Sequence, residues 1–292
     1  MKKIFSILAL LLGAQVASSA AFDLGNILQL PEPNKQKKTE QPAQPSSAQS
    51  SAISPLMLLG KTPVAEEVRI GRQVAGDLLG AAPLVKDDTL QRYVNTVGRW
   101  VAQQSGRKDL TWHFGVIESE DINAFAAPGG YVFLTKGLYK RLNNEAELAG
   151  VLAHEIAHVS KKHHLDLLKK SALIGTLAQS VSKEVKSGDQ AVQNLIGNGA
   201  EMLARGLDKD AEFEADRIGA VFAARAGYDP WGLPTVLQDM AAINPGDNRL
   251  ALLYKTHPSA ADRVAHLGEA VGDRFDGLPA GKEFPERFYR IK

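Results

Sequence analysis

The run VLAHEIAHVS at residues 151–160 puts three polar side chains into an otherwise apolar helix, and few folds can accommodate that. Leu148, Val151, Leu152, Ile156 and Val159 recur at helical spacing, so one stripe of the helix faces a core. Glu155 falls on the same stripe and His158 borders it. A carboxylate left unpaired in a core is strongly destabilising, so the fold has to supply it with a partner. Positions i and i+4 share a helix face. His154 and His158 can therefore reach one metal ion, and Glu155 can reach a water beside it.

The string His154-Glu155-Ile156-Ala157-His158 fits the HExxH pattern of zinc peptidases. A catalytic zinc usually takes three protein ligands and keeps a fourth position open. His164 stands at the offset of the metzincin pattern HExxHxxGxxH. There, however, Lys161 replaces the helix-breaking glycine, so a continuous helix is expected to turn His164 away. Lys161, Lys162, His163 and His164 read instead as a solvated, cationic helix end that complements the macrodipole. Glu212 is the second candidate. In DAEFEAD (210–216), Glu212 and Asp216 share a face with Gly219 and Ala223, and small residues beside a carboxylate let two helices pack closely. Asp216 is placed to accept a hydrogen bond from a ligand imidazole. Glu214 points elsewhere and reads as a surface charge.

The rest of the chain frames this centre. Lys2 and Lys3, an apolar run over 4–12 and the small residues Ala17-Ser18-Ser19-Ala20 make residues 1–20 a signal peptide. Residues 21–62 read as a flexible linker, richest in Pro, Gln and Ser between 31 and 55. The domain is expected over 63–292. With no cysteine in the chain, a metal must be held by His, Asp or Glu, and neither a disulfide nor a lipid-anchored cysteine is expected. A net charge of +1 and no basic cluster interleaved with aromatics argue against a nucleic-acid partner. No run after the signal is long and apolar enough to span a bilayer, and 171–181 is the nearest approach. Together these point to a soluble periplasmic protein.

Hydrophobic periodicity predicts helices over 66–79, 89–104, 144–164, 166–185, 189–206, 209–226 and 230–242. Alternation around Trp112, Phe114 and Val116 predicts a strand, and Tyr131-Val132-Phe133-Leu134-Thr135 a second, after the turn Pro128-Gly129-Gly130. The expected fold class is α+β, mostly helical, with a small sheet beside the HExxH helix.

With these residues in place, the chain resembles the gluzincin zinc metallopeptidases of the HtpX and CAAX prenyl protease type, with periplasmic members of the BepA and LoiP kind. The likeness covers about residues 64–268. It rests on Asn123-Ala124-Phe125-Ala126-Ala127-Pro128-Gly129-Gly130, on the helix from Glu147 to His158, on Glu212-Phe213-Glu214-Ala215-Asp216 as the third-ligand motif, and on Thr256-His257-Pro258 followed by Arg263. Where members often carry Ser-Arg before the third-ligand motif, this chain has Asp208-Lys209. The resemblance implies a compact minigluzincin domain holding one zinc by His154, His158 and Glu212, and a role in clearing damaged envelope proteins.

Zinc so held would activate water, with Glu155 as general base. His257 is the candidate donor to the developing oxyanion, with Arg263 in reserve, or else His257 fills the open zinc position at rest. The strand with Tyr131, Val132 and Phe133 is expected at a sheet edge, where an extended substrate could add as a further strand, with Asn123 fixing the segment. Residues 186–199 could form a lid. The expected partners are unfolded proteins, outer-membrane proteins among them, with peripheral membrane contact. A chaperone-like binder using the same cleft competes with the protease reading, but has no need of Glu155. A structural zinc site is disfavoured because such sites are rich in cysteine.

Overall fold

The computed structural model describes residues 60–171, 206–244, 246–272, 274–275 and 281–291. The expected signal peptide, nearly all of the linker, the helix over 189–206 and the lid over 186–199 lie outside them. The described residues belong to one compact unit, and no described helix is long and apolar enough to cross a membrane.

Two helices open the domain, α1 (Val64–Ala81) and α2 (Asp88–Ala102). The Asp87 side chain caps α2, accepting from the Thr89 and Leu90 amides. Leu90, Val94, Val97 and Val101 then form its buried stripe, as the spacing predicts. Three strands follow: β1 (His113–Ile117), β2 (Ala124–Ala127) and β3 (Tyr131–Thr135), in the spatial order β1-β3-β2. β3 pairs parallel to β1 and antiparallel to β2, with Ala127 opposite Tyr131 and Ala124 opposite Leu134. The turn between β2 and β3 passes through Gly129 (φ 77°) and Gly130 (φ 97°).

This order corrects one expectation. The strand with Tyr131, Val132 and Phe133 is the central strand, so its main-chain groups are already paired on both sides. The edges are β1 and β2, and β2, with the sequence AFAA, has little β-branched character and reads as a loop by propensity alone.

A short helix α3 (Lys136–Tyr139) leads to α4 (Glu145–Lys161), which carries His154, Glu155 and His158. The Asn144 side chain caps α4 through the Glu147 amide. α4 is buried from Glu145 through Val159 on all sides, not only along the predicted stripe. The continuous helix predicted over 144–164 also fails. Lys162 adopts φ 63° and ends α4, and a new helical stretch covers 163–171. The tertiary contacts at this end account for the break. Lys162 Nζ lies 3.2 Å from Glu67, which is fully buried on α1, and Arg107 pairs with the same carboxylate at 3.0 Å while also donating to the Val159 carbonyl.

The last group comprises α5 (Lys209–Arg225), α6 (Gly232–Ala241), α7 (Leu253–Thr256) and α8 (Ala260–Val271). Asp208 caps α5 through the Ala211 amide. The departure from Ser-Arg at 208–209 therefore leaves the helix entry served.

Candidate metal centre

α4 and α5 approach closely because α5 presents small residues. A Cβ added to Gly219 would lie 2.9 Å from the His154 backbone nitrogen. That proximity lets side chains of α5 reach those of α4 directly. His154 Nε2 and His158 Nε2 face each other at 3.0 Å. Glu212 spans the pair, with Oε2 3.6 Å from His154 Nε2 and Oε1 3.5 Å from His158 Nε2. His257, where α7 ends, closes the set with Nδ1 2.6 Å from Glu212 Oε2. The ligand atoms of His154, His158, Glu212 and His257 all lie within 4.8 Å of one another.

These residues suit a metal ion on their own geometry. Glu212 Oε1 is buried and has no hydrogen-bond partner among the described residues. An orphaned buried acceptor costs about 1–3 kcal/mol, more when charged, and a cation at that point removes the cost. Imidazole nitrogens with one carboxylate, and no sulfur, are the donors of a catalytic zinc. Burial pushes Glu212 up, but His257, His158 and His154 outweigh it and hold the carboxylate far below its usual range. Burial likewise keeps His158 well below the ordinary imidazole value, with its ring neutral and able to ligate.

Each α4 histidine has an outer partner. His154 Nδ1 lies 2.9 Å from Asp216 Oδ1. Arg263, buried on α8, donates to both oxygens of the same aspartate, through Nη2 at 2.6 Å and Nε at 3.0 Å. Burial raises Asp216, but Arg263 and His154 outweigh it and bring it down to about 2. Burial and Arg263 lower His154, whereas Asp216 and Glu212 carry it up to about 9. Arg263 is thereby spent on Asp216 and His154, which leaves it badly placed as a reserve oxyanion donor.

His158 Nδ1 meets His163 Nδ1 at 2.9 Å, and His163 Nε2 meets Glu214 Oε2 at 3.0 Å. Neither His163 nor Glu214 was assigned such a contact from sequence. The break at Lys162 turns the chain back, so that His163 and His164 pack against His158 instead of standing in solvent. The ring of His164 is 5.3 Å from that of His158. Its Nδ1 is buried without a partner among the described residues, and burial pushes it down to about 3. The only sequence signal was the HisHis dipeptide itself, since nothing local marks Lys162 for a left-handed conformation.

Glu155 is 2% exposed. Burial pushes its carboxyl up, while His154 and His257 pull it down, with burial prevailing. It borders a small cleft lined by Ala124, Phe125 and Ala126 of β2 and by His164, Thr256 and His257. Among the strand residues, it is therefore β2 that meets the centre; Tyr131, Val132 and Phe133 do not line the cleft. Asn123, just before β2, is fully buried. Its amide nitrogen accepts no role on the cleft surface but donates to Thr256 Oγ1 at 3.4 Å, and its backbone N–H donates to Thr135 Oγ1 at 3.0 Å. It ties the sheet to the residue before His257.

Comparison with known proteins agrees with this geometry. The profile described as Peptidase family M48 matches residues 88–271. The beta-barrel assembly-enhancing protease of Escherichia coli (strain K12) is 31% identical over 211 residues, 69% of this chain and 43% of that protein. Its counterpart in Yersinia pestis is 30% identical over 207 residues, 68% of this chain and 43% of that protein. The mitochondrial metalloendopeptidase OMA1 of Schizosaccharomyces pombe is 29% identical over 177 residues, 61% of this chain and 52% of that protein. The match to the two beta-barrel assembly-enhancing proteases spans less than half of their length.

Proposed function

This chain belongs to peptidase family M48, and from that premise we propose that it is a zinc-dependent metalloendopeptidase acting on unfolded protein segments in the bacterial periplasm. The observation that carries the reading is the convergence of His154, His158, Glu212 and His257 on a cleft bordered by Glu155. Bound zinc would supply Lewis acidity toward the scissile carbonyl and an activated water. His154, His158 and Glu212 are the residues to hold it.

Glu155 accepts the proton of the attacking water at its carboxylate and returns it to the leaving amine. Its upward shift suits that work, because burial makes the carboxylate a better base. Asp216 holds His154 in orientation, with Arg263 neutralising the buried aspartate. Among the described residues β2 has no strand partner on its outer side, and that edge is the place for substrate. An extended chain pairing with Ala124–Ala127 would lie along the cleft, and main-chain pairing is tolerant of sequence. Such a mode selects for chains that can become extended, which folded proteins cannot.

His257 supports a second reading of the resting state. Its Nδ1 faces a carboxylate oxygen of Glu212 at 2.6 Å, inside the donor cluster. A ring set among the donors of His154, His158 and Glu212 suits a fourth metal donor better than an oxyanion donor. A site closed by four protein donors is latent until His257 moves aside.

The location follows from the signal-like residues 1–20. The Escherichia coli relative is named for enhancing beta-barrel assembly, and outer-membrane proteins in an unfolded state are the substrates proposed for this chain. The test is cleavage of casein by the mature chain and by Glu155→Gln, with zinc measured in both. Cleavage by the parent alone, with zinc in both, is the expected result. Absence of zinc from the parent would remove the ligand assignment. Zinc in both without cleavage by either would leave the cleft a binding site only.

A further inference from the structure

The two α4 histidines are oriented by unlike partners, and only one of those partners is explained by the reading above. Asp216 with Arg263 is a buried ion pair behind His154. Behind His158 stands a second imidazole, His163, and behind that Glu214, whose Oε1 takes Lys161 Nζ at 2.8 Å.

The proton positions along this chain follow from the acceptors. Glu214 is a carboxylate, so His163 Nε2, 3.0 Å away, must carry a proton to bond to it. In the Nε2–H tautomer His163 offers a bare Nδ1 as an acceptor. The Nδ1···Nδ1 contact of 2.9 Å needs one proton between the two rings, and it must come from His158. With Nδ1 protonated, the lone pair of His158 sits on Nε2, the atom that faces His154 and Glu212. The order Lys161, Glu214, His163, His158 thus selects the one tautomer of His158 that can ligate through the centre of the cluster.

Geometry as well as proton position depends on this arrangement. His158 is fully buried, and its ring plane stands nearly perpendicular to that of His154, at 86°. A hydrogen bond on Nδ1 fixes the rotation of the ring about its Cβ–Cγ bond. α5 supplies the partners of both rings: Glu212 and Asp216 from one face, Glu214 from another. The same helix therefore positions the two ligands it faces and contributes a donor of its own.

We propose that His163 and Glu214 are positioning residues for the metal centre, holding His158 in the Nδ1–H tautomer and the orientation that directs Nε2 at the ion. This rests on the metallopeptidase reading, since it assumes that the cluster binds zinc.

The experiment uses the mature chain stripped of metal. Zinc affinity is measured by competition with a chromophoric chelator for the parent, His163→Ala, His163→Gln and Glu214→Gln. Loss of an outer partner of a metal-bound histidine typically weakens binding about 10–100-fold, and His163→Ala is expected to fall in that range. His163→Gln can accept from His158 and donate to Glu214, so it should recover most of the affinity. Glu214→Gln still offers an acceptor and should fall between the two. The imidazole ¹⁵N spectrum of the zinc-loaded chain supplies the second readout, with His158 Nδ1 protonated and slow to exchange in the parent and fast to exchange in His163→Ala.

The proposal is overturned if His163→Ala binds zinc like the parent, or if its melting temperature without metal falls while His158 keeps its Nδ1–H signal. The second result would make His163 a packing residue. If the parent itself takes up no zinc, the metal reading fails first and this inference fails with it. That outcome is told apart by the parent alone.

Discussion

Two glutamates, each fully buried, touch α4 at opposite ends, and they are built for opposite purposes. Glu145, at its first turn, accepts from Tyr93 Oη at 3.0 Å and Tyr228 Oη at 2.9 Å, and pairs with Arg287 at 2.7 Å. Both its oxygens are engaged by donors. Glu212, against the last turns, has one oxygen on His257 and the other left without a hydrogen-bond partner among the described residues. Burial does not separate the structural carboxylate from the functional one. Unspent bonding capacity does. Glu145 binds together α2, α4 and the C-terminal segment, whereas Glu212 carries an oxygen that no group among the described residues uses.

The comparison can be broken most forcefully at Glu212. Glu212→Gln keeps the shape and removes the charge, and is expected to weaken zinc by more than the ~100-fold that loss of an outer partner costs. Casein cleavage should vanish, while the metal-free melting temperature falls less than it does in Glu145→Leu. A large fall in that temperature would put Glu212 in the same class as Glu145. The converse variant, Glu145→Leu, strands the hydroxyls of Tyr93 and Tyr228. A loss of about 2–4 kcal/mol in denaturant unfolding is expected, with zinc affinity unchanged. An altered affinity would mean that the two ends of α4 are coupled.

Gly219→Ala sharpens the contrast, because its Cβ presses on the His154 backbone and on nothing near Glu145. Overpacking of this kind costs about 1–3 kcal/mol. It should lower stability and zinc affinity together, which calorimetry with and without zinc would resolve.

Acid provides the smallest separation. Asp216 is held down to about 2 in the fold, below its ordinary value of 3.8. Its contribution is complete above the unfolded value and is lost as pH falls through the folded one, about 2 kcal/mol in all. His154 runs the other way. Raised to about 9 without metal, it contributes stability that is full below 6.5 and lost as pH rises through 9. Zinc has to displace that proton, so apparent affinity should rise with pH up to about 9. A pH-independent zinc affinity would contradict a protonated His154 in the metal-free site.

What the sequence disclosed tracks how local the determinant is. His154 and His158 are legible because i and i+4 on a helix need no tertiary information. Glu212 and Asp216 are legible from the small residues on their face and from a resemblance resting on several motifs in order. The strand order is not legible, because the neighbours of Tyr131–Thr135 are chosen by the chain's path and not by its β-propensity. Nor is the return of His163 and His164. It hangs on a left-handed lysine whose conformation is secured by Glu67 and Arg107, far away in sequence. Glu145 looks like an ordinary acidic first turn until Tyr228 and Arg287 arrive from elsewhere.

The wide spacing of the centre's parts also sets a timetable. His154 and Arg263 are separated by 109 residues, and Asn123 and Thr256 by 133. Contacts that distant pay their loop-closure entropy before they return anything, so they form late. A chain interrupted before residue 256 carries the α4 histidines but lacks His257, the Asn123–Thr256 tie and the Arg263 that settles Asp216. Metal loading would therefore wait for the whole domain to fold, and a half-made chain would carry an incomplete centre.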